Sequence, residues 1–278
     1  MLKGIVRKII PFSFVDGPGN RAAIFFQGCN FDCLYCHNPE TIKSCIQCGE
    51  CVDNCPYGAI SLVEKSVIWN PEKCEDCGLC VKICKNQCGP KFRSMDTDDI
   101  LEQILKVKPF ISGITVSGGE CTLQWEFLVE LFEKVKKLGL TIFVDSNGST
   151  DFRRYKELTN FLDMVMLDVK SFDKDEHKML TGKDNSIVIE NAKYLGSINK
   201  LYEIRTVIVP EVLDNYRNVD EISKLIVNIN PKIRYKLIKY RSIGTREDKI
   251  NTRQPTDEMM EQLKTKAYNN GCENLIIV

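Results

Sequence analysis

Arg21-Ala22-Ala23-Ile24-Phe25-Phe26-Gln27-Gly28-Cys29-Asn30-Phe31-Asp32-Cys33-Leu34-Tyr35-Cys36-His37-Asn38 is an apolar run that stops at a glycine and opens into a loop with three cysteines. The run reads as a buried strand and Gly28 as its turn. Three thiolates in one loop are one short of the four ligands that close a structural zinc site. Soft thiolates also hold iron–sulfur clusters, where three can carry three irons of a [4Fe–4S] cube and leave the fourth iron open. An open iron is a place for a substrate or cofactor. The loop is therefore a candidate reaction centre at the carboxyl end of a strand.

The same strand-then-polar-turn order repeats downstream. Residues 113–117 predict a strand ending in Gly118-Gly119-Glu120, 140–144 one ending in Asp145-Ser146-Asn147-Gly148, and 164–167 one ending in Asp168-Val169-Lys170. Further strands are predicted over 202–209, 234–240 and 275–278. Helical spacing falls between them, over 97–106, 125–138, 155–162, 187–195, 219–228 and 257–269. About six strand–helix units imply an α/β fold with a parallel sheet and right-handed crossovers. That is short of the eight that close a TIM barrel, so an open, partial (β/α)6 barrel is expected. Function in such sheets collects at strand carboxyl ends, where these polar clusters fall one after another. Upstream, 3–10 and 21–27 read as strands joined by a turn at Asp16-Gly17-Pro18-Gly19, which alone is an ordinary tight turn.

Composition shifts sharply after residue 41. Cys45-x-x-Cys48-x-x-Cys51-x-x-x-Cys55-Pro56 is followed by Cys74-x-x-Cys77-x-x-Cys80-x-x-x-Cys84. Each repeat matches the bacterial two-cluster ferredoxin run, in which the fourth cysteine ligates the other cluster. One [4Fe–4S] cluster would take Cys45, Cys48, Cys51 and Cys84, and the other Cys74, Cys77, Cys80 and Cys55. Lys85 stands where the first repeat has Pro56, which leaves every ligand in place. Zinc spacings are usually two pairs rather than two quartets. Cys88 lies outside the pattern and reads as a spare thiol. A ferredoxin-like insert over 41–92 thus divides a main domain made of 1–40 and 93–278.

Lysine plus arginine and aspartate plus glutamate number 38 each in 278 residues, so no global basic field argues for nucleic acid. The first ten residues interleave charges with apolar residues and contain no cleavable apolar core. No apolar run approaches the roughly 18–20 residues of a membrane span. Of the fourteen cysteines, all but Cys121 and Cys272 fall between residues 29 and 88, unlike the spread of a secreted disulfide scaffold. Metal-ligating cysteines in a reducing cytoplasm are expected.

Cys29-x-x-x-Cys33-x-x-Cys36 with Tyr35 inside it, followed by Ser117-Gly118-Gly119-Glu120 at the next strand end, resembles the radical S-adenosylmethionine superfamily. Further matches are similar to the glycyl radical enzyme activases: Asp16-Gly17-Pro18-Gly19, Gln27-Gly28-Cys29, Cys36-His37-Asn38-Pro39, Asp145-Ser146-Asn147-Gly148, Met166-Leu167-Asp168-Val169-Lys170 and Leu180-Thr181-Gly182. The resemblance spans essentially the whole chain. The insert places it with activases that carry two auxiliary clusters. Pro11-Phe12-Ser13-x-Val15-Asp16 and Thr115-Val116-Ser117-Gly118-Gly119-Glu120-x-Thr122 look most like the YjjW-type branch.

That resemblance implies three [4Fe–4S] clusters and S-adenosylmethionine, cleaved to methionine and a 5′-deoxyadenosyl radical that takes hydrogen from a backbone glycine of a partner glycyl radical enzyme. It implies a flavodoxin or ferredoxin as electron donor and a monomer. Cys29, Cys33 and Cys36 would hold the open-iron cluster. Tyr35 would pack on adenine, or else serve as ordinary core. His37, Ser146, Asn147 and Val169 belong to the cofactor motifs. Gly118 and Gly119 would let the methionyl amino group approach, with Glu120 as its carboxylate partner. Asp145 and Asp168, with Met166, resemble a monovalent-cation site; otherwise they are solvated strand-end residues. Lys170 and Arg205 resemble residues that meet the S-adenosylmethionine carboxylate. Asp16 resembles one that meets the partner's glycine loop, and Arg241 stands where some activases place a nucleoside-contacting histidine. Cys121 reads as a small apolar filler and His177 as an exposed residue of a polar helix. Two other readings are a radical enzyme acting on a small molecule or RNA, and a ferredoxin-like electron carrier. The second leaves residues 29–36 and the strand-end series without a use.

Overall fold

β-branched and aromatic runs pair into one nine-stranded sheet, with helices supplied by the stretches between them. The computed structural model describes residues 2–246 and 248–278. The chain opens with β1 (Gly4–Ser13) and β2 (Arg21–Phe26), an antiparallel pair registered from Val6↔Phe26 to Ser13↔Arg21. After the cysteine loop comes a separate hairpin, β3 (Ile60–Val63) and β4 (Ser66–Trp69), then the single turn α1 (Leu79–Lys82). The short β5 (Arg93–Met95) returns the chain to the sheet against the start of β1.

From there strand and helix alternate. They are α2 (Thr97–Val107), β6 (Gly113–Gly118), α3 (Trp125–Lys137), β7 (Thr141–Ser146), α4 (Lys156–Phe161) and β8 (Met164–Asp168). Two helices, α5 (Lys174–Thr181) and α6 (Ser186–Ser197), precede β9 (Leu201–Ile208). The chain ends with α7 (Asn215–Ile229), β10 (Arg234–Lys239), α8 (Asp257–Asn269) and β11 (Leu275–Ile277). Sheet order is β11-β10-β9-β8-β7-β6-β2-β1-β5. The stretch from β2 to β11 is parallel throughout. The expected open α/β architecture is present: β11 and β5 lie at opposite edges and do not meet. The parallel expectation holds except at β1 and β5, where a short turn and a return crossing make the pairing antiparallel.

Local signals account for the elements. Asp96 caps α2 by accepting from the N–H groups of Asp98 and Asp99, while Asp99 accepts from the Asp96 N–H. α3 lays Phe127, Leu128, Leu131, Phe132 and Val135 into the core, each worth about 1.5–3 kcal/mol of apolar burial. β6 is buried along nearly its whole length, as a strand covered on both faces must be.

His177 departs from expectation. It is fully buried in α5, with its ring edge-on to Phe31 at 5.5 Å and Nδ1 donating to the Lys183 carbonyl at 2.8 Å. α5 is polar overall, and only one narrow face, carrying His177 and Leu180, turns inward. The region between residues 42 and 92 has its own small core of Cys51, Ile60, Val67 and Cys80. It is tied to the main sheet by Arg7 Nη1 donating to the Lys91 carbonyl at 2.7 Å and Gln27 Nε2 to the Lys43 carbonyl at 2.7 Å.

Candidate active site

Residues 27–42 close on themselves at the end of β2. Gly28 N–H donates to Thr41 and Cys29 N–H to Ile42, at 2.8 and 2.9 Å, while the buried Gln27 amide also reaches the Glu40 carbonyl at 2.8 Å. The loop so formed places Cys29, Cys33 and Cys36 around a cavity of about 270 Å³. The ends of the next strands complete the lining: Gly118 and Gly119 at the end of β6, Asp145 to Asn147 at that of β7, and Asp168 with Lys170 at that of β8. Tyr35, His37 and Asp16 also line it. One cavity therefore collects the cysteine loop and the polar ends of successive parallel strands.

Among the described residues, no group of three or more His, Cys, Asp or Glu side chains closes round a single metal ion. The three thiols stand apart around a space instead, a donor set that suits a multi-iron cluster. Cys29 Sγ accepts from the Phe31 N–H at 3.4 Å and from Asn147 Nδ2 at 3.6 Å. Burial pushes the Cys29 thiol up to about 12 and Cys33 up to about 11. A thiolate there needs the charge of a bound metal.

The electrostatics of the strand ends are paired. Lys170 Nζ lies 2.9 Å from Asp168 Oδ2 and 5.7 Å from the Tyr35 ring centre. Arg205 is held 2.9 Å from Asp145 Oδ2 and 2.5 Å from Glu203 Oε1, and Nη2 donates to Met166 Sδ at 2.8 Å. Burial raises the Asp145 carboxyl against the pull of Arg205. Protein partners already engage most of the expected site residues. Arg205 is engaged inside the sheet and does not line the cavity. Asp145 and Asp168 line the cavity with Oδ2 of each paired to Arg205 and Lys170 respectively, and Met166 is buried against Arg205. Glu120 turns away from the cavity: its oxygens accept from Thr122 Oγ1 at 2.5 Å, Ser146 Oγ at 2.9 Å and the Asn147 N–H at 2.6 Å. The Arg241 side chain is exposed, and only its carbonyl takes part, accepting from His37 Nε2 at 2.9 Å. Val169 is core, with its N–H donating to the Arg205 carbonyl.

The profile of the Radical SAM superfamily matches residues 23–226. The isethionate sulfite-lyase activating enzyme of Desulfovibrio desulfuricans is 30% identical over 88% of this chain and 85% of its own. The chain is a glycyl radical enzyme activase of the radical S-adenosylmethionine superfamily. The pyruvate formate-lyase-activating enzyme of Staphylococcus epidermidis is 28% identical to this activase over 98% of both chains. The indoleacetate decarboxylase activating enzyme of Tractidigestivibacter scatoligenes is 29% identical over 99% of this chain and 98% of its own. The fold of the activase is shared with QueE from Escherichia coli, at a TM-score of 0.56 and 13% identity over 99% of this chain and 94% of that one. Membership implies a [4Fe–4S] cluster and S-adenosylmethionine. Among the described residues no helix of the activase is long and apolar enough to cross a membrane.

Between residues 42 and 92 of the activase, Cys55, Cys74, Cys77 and Cys80 line one pocket together with Ile60 and Trp69. Cys45 and Cys48 lie near enough to Cys51 to join burial in raising its thiol to about 11. Cys88 is buried rather than loose, its Sγ 3.7 Å from Cys84 Sγ. Cys121 fills core space against the Asp145 carbonyl, as a small apolar residue would. Sequence reasoning missed Asn147 as a donor to Cys29 and the contacts that hold residues 29–36 from outside. Neither has a local pattern, because both join segments far apart in the chain.

Proposed function

We propose that this chain reductively cleaves S-adenosylmethionine in the cavity ringed by Cys29, Cys33 and Cys36 and directs the product radical at a backbone glycine of a partner glycyl radical enzyme. The observation that carries this is the convergence of that loop with the ends of β6, β7 and β8 on one space. When bound, the cluster supplies the electron that breaks the sulfonium bond. The chain's own residues bind and orient. Cys29, Cys33 and Cys36 would hold the cluster, and the Asn147 amide donates to Cys29 Sγ. Tyr35, 3% exposed, packs with Leu180, Val209, Leu213 and Tyr240 and lines the cavity. Its buried hydroxyl has no protein partner, which suits a nucleoside against it. Lys170 is the cation at the cavity wall for the methionyl carboxylate. Asp16, held by Ser13 Oγ at 2.5 Å, lines the cavity and would meet the partner's glycine loop.

The insert is read as a two-cluster ferredoxin-like module of residues 41–92. It relays electrons from a flavodoxin or ferredoxin to a cytoplasmic, monomeric enzyme. The pocket shared by Cys55 of the first repeat and Cys74, Cys77 and Cys80 of the second supports the crossed ligand assignment. Cys48 and Cys77 are exposed while Cys33 is buried, which supports a path from surface to centre.

Anaerobic reconstitution, reduction with dithionite and addition of S-adenosylmethionine should yield 5′-deoxyadenosine, and Cys33→Ala should abolish it while the signals of the other two clusters persist. Absence of 5′-deoxyadenosine from the reduced wild-type protein would remove the reading. Mixing with a glycyl radical enzyme should then give a glycine-centred EPR doublet.

A further inference from the structure

The loop of residues 29–36 is gripped through its backbone from two sides. On one side α5 ends in Leu180 and Thr181, whose carbonyls accept from the N–H groups of Leu34 and Asp32, each at 2.9 Å. These are carbonyls that a helix end leaves without internal partners. On the other side stands Arg246, from the segment between β10 and α8. Its Nη2 donates to the Cys33 carbonyl at 2.7 Å and its Nη1 to Asp32 Oδ1 at 2.5 Å. N–H groups of the loop thus go to α5, and its acceptors go to Arg246.

Arg246 is only 8% exposed, and its Nε is buried with no protein partner. Burying a permanent charge is costly unless it is paired. The pair with Asp32 does not by itself explain the burial. The Asp32 side chain is 48% exposed, and Lys249 reaches its other oxygen at 2.7 Å from a more solvated position. What burial adds for Arg246 is proximity to the backbone of Cys33. Burial dominates and raises both the Cys33 and Cys36 thiols, and the charges of Lys170 and Arg246 oppose it at each.

We infer that Arg246 is a positioning residue for the site cluster: it fixes the Cys33 backbone and sets a permanent positive charge beside the loop that carries the thiolates. This rests on the reading that Cys29, Cys33 and Cys36 hold that cluster. A cation beside an electron-accepting group favours its reduced form, and groups behind metal ligands control retention of the metal.

The test uses the reconstituted, anaerobic full-length protein and follows the cluster whose EPR signal responds to S-adenosylmethionine. Two quantities are read: its midpoint potential, and the rate at which a chelator strips its iron. Arg246→Met, which keeps the bulk and loses both charge and fork, should lower the potential and speed iron loss about tenfold. Arg246→Lys, which keeps charge without the fork, should restore the potential but not the retention. Lys249→Met, which removes only the solvated partner of Asp32, should leave both at the wild-type value. A wild-type potential and wild-type retention in Arg246→Met overturn the inference. If Arg246→Met does not fold, wild-type retention in Arg246→Lys overturns it instead. Failure of the wild-type protein to show any S-adenosylmethionine-responsive cluster sinks the functional reading, and does so before a variant is compared.

Discussion

His177 and Glu120 are buried ionisable groups that meet that condition differently. Donors from β7's end and from Thr122 surround Glu120, while burial raises its pKa against them. His177 has one ring nitrogen satisfied by Lys183 and the other without a partner, and burial lowers its pKa below 6.5. The unfolded chain therefore takes up a proton that the folded chain resists. The stability contributed by neutral His177 is complete above about pH 6.5 and falls as pH drops through that value toward the lower folded one. Thermal unfolding of the protein between pH 7.5 and 5 (roughly the span in which histidine titrates) should show this loss. His177→Gln should flatten the slope by about one proton's worth. Equal slopes would remove His177 as its source. At this scale the polar residues that line the cavity were legible in the sequence because they fall at or just past strand ends. The burial of His177 was not, and neither were the partners of Glu120 and Arg205, because the direction of a side chain depends on neighbours that arrive from remote segments.

Among elements, the end of β6 is the most constrained. A Cβ on Gly118, whose φ is +125°, would lie 2.2 Å from the Phe26 carbonyl oxygen, and one on Gly119 would lie 2.3 Å from that of Gly28. The glycine pair is thus required by the backbone of β2 and the cysteine loop, in addition to any ligand approach. Gly119→Ala must push the two chains apart and strain the bond from the Glu120 N–H to the Gly28 carbonyl. Since Cys29 follows Gly28, a misplacement on the order of 1 Å should cut S-adenosylmethionine cleavage about a hundredfold, with iron content read alongside to show whether the cluster is still held. Unchanged cleavage would mean that the loop absorbs the shift. Strand–helix rhythm made most elements readable because apolar periodicity and glycine stops coincide, as at α3 and Gly139. The β3–β4 hairpin was not seen: its turn uses Glu64 and Lys65 at positive φ, where glycine or asparagine would have marked it. β5 is too short to carry a pattern.

For the whole molecule, the insert makes a prediction about pairing rather than about single residues. If Cys55 serves the same cluster as Cys74, Cys77 and Cys80, then Cys55→Ala combined with Cys74→Ala should lose no more iron than Cys74→Ala alone, about four atoms per chain. Cys51→Ala combined with Cys55→Ala should lose about eight. Additive losses in the first pair would refute the crossed assignment, and iron analysis with EPR spin counting decides it. The eight-cysteine spacing was plain in the sequence. The hairpin core and the struts to Lys43 and Lys91, which hold the insert against the main sheet, depend on long-range contacts and were not.

The unjoined edges of the sheet have a last consequence. A closed (β/α)8 barrel carries its own wall all the way round, so a small substrate can be sealed in by loops alone. Here, among the described residues, β11 and β5 do not pair, and the sheet stays open between them. Radical chemistry requires that water and stray hydrogen donors be kept out. A partner protein leaning against the open side would supply such cover. The openness of the sheet thus leaves room for a substrate that brings its own wall.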